Sequence, residues 1–186
     1  MQANTKGKEI KVDKYHMIVS RTDTKGIIEY ANSNFIEISG YGISELVGKP
    51  HNIVRHPDMP AIIFKLMWQR IQSGQDIFAV VKNLAKNGDY YWVTTKFEIK
   101  KHPFTNQVNG YVAYRQGALE HVIDTMSKLY TDLLAIEKTN GMDASEKYLL
   151  EFLASKNMTY DQYIEHLTGS SSIFKSLLSK MANLFH

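Results

Sequence analysis

The sequence predicts an α+β chain: an antiparallel sheet of about five strands, several short helices and one longer helix, followed by an all-helical C-terminal extension. Three observations lead there. Between His16 and about Gln116, short runs rich in β-branched and aromatic residues recur between turn residues, the pattern of strands. Lys86-Asn87-Gly88-Asp89 holds Asn-Gly, a strong short-range hairpin signal. From Ala118 onward there is no proline, and apolar residues recur every three or four positions, the period of a helix.

Residues 1–15 form a polar N-terminal segment, expected to be loosely ordered. Met17–Thr22 reads as the first strand. Asp23-Thr24-Lys25-Gly26 turns the chain, with Gly26 free to take a positive φ, and Gly26–Tyr30 returns as the second strand. Ser33–Ser39 is a short helix stopped by Gly40, and Ile43–Val47 is another turn or two between glycines. His51–Pro60 fits neither period, since Pro57 and Pro60 break regular structure. Ala61–Ser73 is the longer helix, with an apolar stripe at Ile62, Ile63, Leu66, Met67 and Ile71 and a stop at Gly74. Asp76–Leu84, Asp89–Ile99 and Gly110–Arg115 are three consecutive strands, an antiparallel meander.

Beyond Ala118 the first helix runs to about Lys138. Asp143 is expected to cap a second helix, with Glu146 completing a capping box. Thr159 is expected to cap a third, ending at Gly169, and Ser170–Ser172 opens a fourth that runs to the C-terminus. The expected units are therefore residues 1–15, a sensor-like unit at 16–116, and a helical extension at 117–186 for dimerisation or signal transfer. Residues 1–116 carry 16 basic and 10 acidic residues; residues 117–186 carry 6 and 9.

The 186 residues suffice for one domain and an appendage. A net charge of +3 argues against a nucleic-acid binder. The chain has no cysteine, which excludes disulfides, thiolate nucleophiles and Cys-ligated zinc or iron–sulfur clusters. The longest clear apolar run, Ile77–Val81, is far short of a membrane span, so no transmembrane segment is expected. With no apolar signal region at the N-terminus either, a cytoplasmic chain is the expectation. No catalytic acid–base pair or nicotinamide fingerprint is visible, so an enzyme is not expected.

Strand alternation sorts the meander into two faces. Ile77, Ala79, Val81 and Asn83 share one face. Tyr91, Val93, Thr95 and Phe97 fall on the same side, as do Tyr111 and Arg115. The opposite face holds Phe78, Val80, Tyr90, Trp92, Val112 and Tyr114, too aromatic to face water without a cover. Arg115 on an inward face needs either a ligand anion or an acidic side chain.

The element order, with Ala31-Asn32-Ser33-Asn34-Phe35, Ser39-Gly40-Tyr41 and Glu45-Leu46-Val47-Gly48, resembles a PAS sensor domain. The string Pro50-His51-Asn52-Ile53-Val54-Arg55-His56-Pro57-Asp58-Met59-Pro60 resembles the matching segment of the Aer family of aerotaxis and energy-taxis receptors. So do Val81-Lys82-Asn83 and Tyr91-Trp92-Val93. The resemblance covers roughly residues 16–116. It implies a cytoplasmic PAS domain that holds FAD non-covalently, reports redox or energy state, and controls a chemotaxis-type receptor or signalling protein. A homodimer is expected, of the soluble or split kind without a transmembrane segment.

The resemblance implies that Arg55, His56 and Asp58 carry flavin recognition and that Asn83 meets the isoalloxazine edge. Val81, Tyr91 and Arg115 join them by alternation, and Asn34 is a further candidate. Where the family carries a Trp on the first meander strand this chain has Ile77, leaving Trp68 on the longer helix as the indole near the predicted cavity. Competing readings are a cofactor-free PAS adaptor, haem held through His56, and a metal pair at His51 and His56 that no acidic or thiolate residue completes.

Overall fold

In the computed structural model, which describes residues 7–13 and 16–169, five strands make one antiparallel sheet. They are β1 (Ile18–Thr22), β2 (Ile28–Ala31), β3 (Ile77–Leu84), β4 (Tyr90–Lys101) and β5 (Val108–Gly117). Their order across the sheet is β2-β1-β5-β4-β3. Between β2 and β3 lie α1 (Ser33–Ser39), α2 (Ile43–Leu46), a single 3-10 turn (His51–Val54) and α3 (Ala61–Gln72). After β5 come α4 (Glu120–Asn140), α5 (Met142–Ser155) and α6 (Tyr160–Leu167).

Local chemistry explains the first half. The Asp23 carboxylate accepts from the backbone N–H of Lys25 and of Ile27, each at 2.8 Å, and so holds the β1–β2 turn. Gly26 sits there at φ +80°; a Cβ at this position would come within 3.0 Å of the Trp68 indole. Asn32 caps α1, accepting from Phe35 N–H at 3.0 Å. It also accepts from Val19 N–H at 3.0 Å and donates to the Met17 carbonyl at 2.8 Å, which fixes the helix against β1.

The alternation read from the sequence is the alternation of the sheet. Asn83, Val81, Ala79 and Ile77 pair with Tyr91, Val93, Thr95 and Phe97; Thr95 and Phe97 pair onward with Arg115 and Ala113. Ala79, Tyr91, Val93 and Thr95 are fully buried on this inner face. The register across β1 is equally close: a Cβ on Gly110 would fall 2.3 Å from the Thr22 carbonyl oxygen.

The outer face is covered by the chain's own helices. Tyr130 of α4 stacks on Trp92, with ring centroids 6.2 Å apart and planes 22° apart. Its hydroxyl donates to the Val80 carbonyl at 2.6 Å and lies 3.2 Å from the Tyr160 hydroxyl of α6. Burial raises the pKa of both phenols, so both stay neutral and hydrogen-bonded. Val122, Met126, Leu129 and Leu133 continue this buried stripe along α4, and each side chain so buried stabilises by roughly 1.5–3 kcal/mol. A short N-terminal strap pairs with the start of β4: Ile10 N–H donates to the Tyr90 carbonyl at 2.7 Å and Tyr90 N–H to the Lys8 carbonyl at 3.0 Å.

Two expectations need amendment. The helix α5 starts directly after Gly141, one residue ahead of Asp143, so Asp143 lies in its first turn and forms no cap. Glu146 pairs with Lys65 of α3 at 2.6 Å in place of closing a capping box. A tertiary ion pair has displaced the local motif. The cap at Thr159 is present, accepting from Gln162 N–H at 3.3 Å, with the Gln162 side chain returning to Thr159 N–H at 2.8 Å. The fourth helix, expected from Ser170–Ser172 onward, lies outside the described residues. Among the described residues no helix is long and apolar enough to cross a membrane.

Candidate functional site

The inner face of the sheet does not close on itself. Between it, α3 and the 50–55 segment lies a cavity of about 280 Å³, at the lower end of the ~300–1,000 Å³ usual for small-molecule sites. Its floor is Val81 and Asn83 of β3, Phe97 of β4, and Tyr111, Ala113 and Arg115 of β5. Ser20 and Thr22 of β1 extend the floor, and Phe64, Met67, Trp68 and Ile71 of α3 form the opposite wall. Small residues on the floor leave this space open; Ala113 stands where a larger side chain would fill it.

Arg115 is 2 % exposed, and among the described residues no carboxylate touches it. Its guanidinium donates from Nη1 to Ser20 Oγ at 3.0 Å and to the Ala113 carbonyl at 3.4 Å, and from Nη2 to His51 Nε2 at 2.9 Å. His51 also lies 3.0 Å from Ser20 Oγ and stacks on Phe35 with centroids 5.6 Å apart. Burial, then the Arg115 charge, pushes the His51 pKa down to about 3, so the ring is neutral and accepts at Nε2. Burial pulls Arg115 down to about 10, which still leaves it charged at neutral pH.

Asn83 is 3 % exposed and lines the cavity, yet among the described residues its Nδ2 has no hydrogen-bond partner. Tyr91 OH and Thr95 Oγ1, on the same inner face, are also without one. Asn83 and Tyr91 are cross-strand neighbours, close enough to feel each other but outside hydrogen-bond geometry. Unpaired buried donors cost about 1–3 kcal/mol each and are rare in native interiors. Of the three only Asn83 lines the cavity, and its free amide fits a polar ligand that supplies the missing acceptor.

The mouth is basic. Arg55 lies over the Phe64 ring at 4.3 Å from its centroid and donates from Nη2 to the Met59 carbonyl at 3.2 Å. Its backbone bridges to Asn83, so the irregular segment and the third strand meet at the cavity. Lys25 lines the opposite rim, beside Gly26. The lining holds Lys25, Arg55 and Arg115 and no acidic residue. Trp68 meets the Tyr111 ring edge-on at 5.7 Å. Such a site suits a planar, polar aromatic group that carries or develops negative charge.

The candidates named from sequence fall into three groups. Arg55, Trp68, Val81, Asn83 and Arg115 come together around the cavity. Ile77 and Tyr91 are buried on the same sheet face behind its lining. His56 and Asp58 sit elsewhere: His56 is buried, with Nδ1 accepting from Asp58 N–H at 3.0 Å and its ring edge-on to Tyr90. Burial, then the Lys82 charge, pushes the His56 pKa down to about 4, against the pull of Asp58. Asp58 pairs with Lys82 Nζ at 2.6 Å at the surface. Asn34 donates to the Met17 carbonyl at 2.9 Å, away from the cavity. The reading missed Ser20 and His51 as parts of the site. Alternation on β1 marks Ser20 together with Thr22; His51 lies where no period exists to mark it. Among the described residues no three His, Cys, Asp or Glu gather into a metal-binding group.

Comparison with known proteins agrees with this architecture. Residues 28–113 match the family described as PAS fold. A light-oxygen-voltage domain superposes with a TM-score of 0.55 at 18% identity, covering 63% of this chain and 89% of that one. A PAS domain from Colwellia psychrerythraea superposes with a TM-score of 0.51 at 18% identity, covering 56% and 89%. Residues 28–113 therefore have the PAS fold, and a helical region follows them. Among curated proteins, it is 39% identical over 120 residues to the aerotaxis receptor of Escherichia coli, covering 63% of this chain and 23% of that one. It is 28% identical over 112 residues to a nitrogen fixation regulatory protein of Klebsiella pneumoniae, covering 60% and 20%. The chain thus spans less than a quarter of the length of these two relatives.

Proposed function

We propose that this chain is a cytoplasmic redox or energy-state sensor that holds FAD in the cavity and reports to a chemotaxis-type receptor or signalling protein, as a homodimer. The observation that carries the reading is the pairing of an uncompensated buried cation, Arg115, with the unpartnered amide of Asn83 on one cavity floor. An isoalloxazine matches this donor set: it is planar, has an imide edge rich in acceptors, and gains negative charge when reduced. Arg55 and Lys25, which also line the cavity, would offer cations to the pyrophosphate of the dinucleotide.

Bound FAD supplies the electron acceptor; everything else falls to the chain. Asn83 and Arg115 orient the ring by its polar edge. Trp68, Met67 and Ile71 exclude water from one side of the cavity. Arg115 shares its protons among His51, Ser20 and the cavity, so a change of charge in the cavity redraws these bonds. Because β5 leads within three residues into α4, a shift at Arg115 is delivered close to the start of the helical extension. The haem reading loses its support, because His56 does not line the cavity. The cofactor-free reading predicts a filled inner face, and here the floor is open.

The test is the visible spectrum of the freshly purified chain, with acid extraction and chromatography of whatever it releases. Flavin bands with FAD in the extract bear the reading out. A colourless protein that does not take up added FAD overturns it.

A further inference from the structure

The helix that walls the cavity lacks a cap of its own. α3 begins after Pro60, which offers no side-chain acceptor, and its first turn has no acidic residue. Its opening N–H groups therefore need a partner from elsewhere. Glu137, near the end of α4, provides it: Ala61 N–H donates to Oε2 and Ile62 N–H to Oε1, each at 2.9 Å. The carboxylate also sits favourably against the positive end of the helix dipole. Its charge reaches Arg55 at the cavity mouth, where it favours the protonated form.

The extension holds α3 at two further points. Glu146 of α5 pairs with Lys65 at 2.6 Å. Asp161 of α6 pairs with Arg70 at 2.5 Å and accepts from Phe78 N–H of β3 at 3.3 Å. Three successive helices thus each present one carboxylate to the wall helix or its neighbouring strand. Glu137 differs from the other two in gripping backbone at the end of α3 nearest Arg55, where a swinging surface pair cannot substitute.

We propose that Glu137 is the positioning residue through which occupancy of the cavity and the packing of α4 set one another. A ligand that draws Arg55 and α3 inward moves the N–H groups that Glu137 holds, and α4 must follow or let go. By linkage, loosening α4 weakens the ligand to the same degree. The ligand part of this proposal rests on the FAD reading above.

The experiment is residue-resolved hydrogen exchange on the full chain, with and without saturating FAD. In the parent protein FAD slows exchange along both α3 and residues 129–140. Glu137→Ala speeds exchange at Ala61 and Ile62 about tenfold, as loss of a cap does, and abolishes the FAD-dependent slowing at 129–140 while α3 still responds. Glu137→Gln, which keeps an acceptor oxygen, restores part of the α4 response. An α4 response that survives Glu137→Ala overturns the proposal. If the parent protein takes up no FAD, the FAD reading fails by itself and the link is read without ligand. Leu133→Ala, one turn away on α4, then speeds exchange at Ala61 and Ile62 in the parent but adds nothing to Glu137→Ala. Additive effects of the two substitutions overturn the link.

Discussion

The two faces of one sheet carry opposite chemistry on alternating residues of the same strands. On β3 and β4 the outward residues Val80 and Trp92 meet Tyr130 and are sealed by α4 and α6. The inward residues Asn83, Tyr91 and Thr95 are as deeply buried, but each leaves a polar atom unpartnered among the described residues, Asn83 at the open cavity itself. The outer face is packed and largely satisfied, Gln116 Nε2 excepted, while the inner one borders open space. That contrast teaches where stability ends and binding begins: the outer face anchors the sheet, and the inner face stays polar and hollow at a cost to stability.

The largest effect should come from breaking the outer face. Trp92→Ala removes the ring on which Tyr130 stacks and leaves a void between sheet and α4. The expected loss is about 3–5 kcal/mol, the usual cost of deleting a buried aromatic side chain. Chemical denaturation should show a lower midpoint with the cavity side chains untouched. A midpoint unchanged within error would mean that α4 does not seal this face.

Arg115→Met turns the comparison around. An apolar chain of similar volume relieves the cost of burying the Arg115 charge, while Ser20 and His51 keep each other as partners. The ligand-free protein is therefore expected to unfold at an equal or higher temperature. FAD uptake should weaken roughly tenfold to a hundredfold, the worth of a hydrogen bond to a charged group. Thermal unfolding and flavin fluorescence titration separate the two. A variant both less stable and unchanged in FAD affinity would make Arg115 a structural residue.

Acid sharpens the same contrast. His51 and His56 both have folded pKa values below the ordinary histidine value of 6.5, at about 3 and about 4. The unfolded chain takes up their protons first, so their contribution to stability is complete above pH 6.5. It falls as pH drops through 6.5 toward 4, by up to about 1.4 kcal/mol per pH unit for each ring. Thermal midpoints followed from pH 7 to pH 4 should decline, and His51→Gln should flatten part of the slope. An unaltered slope in that variant would mean that His51 is charged in the fold.

These contrasts were unequally visible in the sequence. Local chemistry was legible where it decides the structure alone: Gly40 stops α1, Gly88 closes the β3–β4 turn at φ +92°, and Thr159 caps α6. The alternation of residues 77–83 and 91–97 gave both faces of the sheet, and so placed Arg115 and Asn83 inward. What stayed hidden depends on contacts distant in sequence. His51 lies in a segment without a period and meets Arg115, 64 positions away. Glu137 looks like an ordinary helix-surface residue, yet it caps a helix 76 positions earlier. Glu146 sits at capping-box spacing from Asp143 but is drawn to Lys65, 81 positions away. No short-range rule contains these partners.

The smallest expected effect tests the border between the two faces. Asp58 lies off the cavity, but its pair with Lys82 ties the 51–60 segment to β3 one residue from Asn83. Lys82 in turn rests over the Tyr90 ring at 4.2 Å, on the outer side. Asp58→Asn removes a pair whose carboxylate side is exposed and should change stability by less than about 1 kcal/mol. It also frees the segment that presents Arg55 to the cavity mouth, so FAD affinity should fall severalfold while the unfolding midpoint hardly moves. Lys82→Met should reproduce the same affinity loss, because the tie has two ends and either one releases it. If Asp58→Asn weakens FAD and Lys82→Met does not, Asp58 acts on the ligand by another route than this tie.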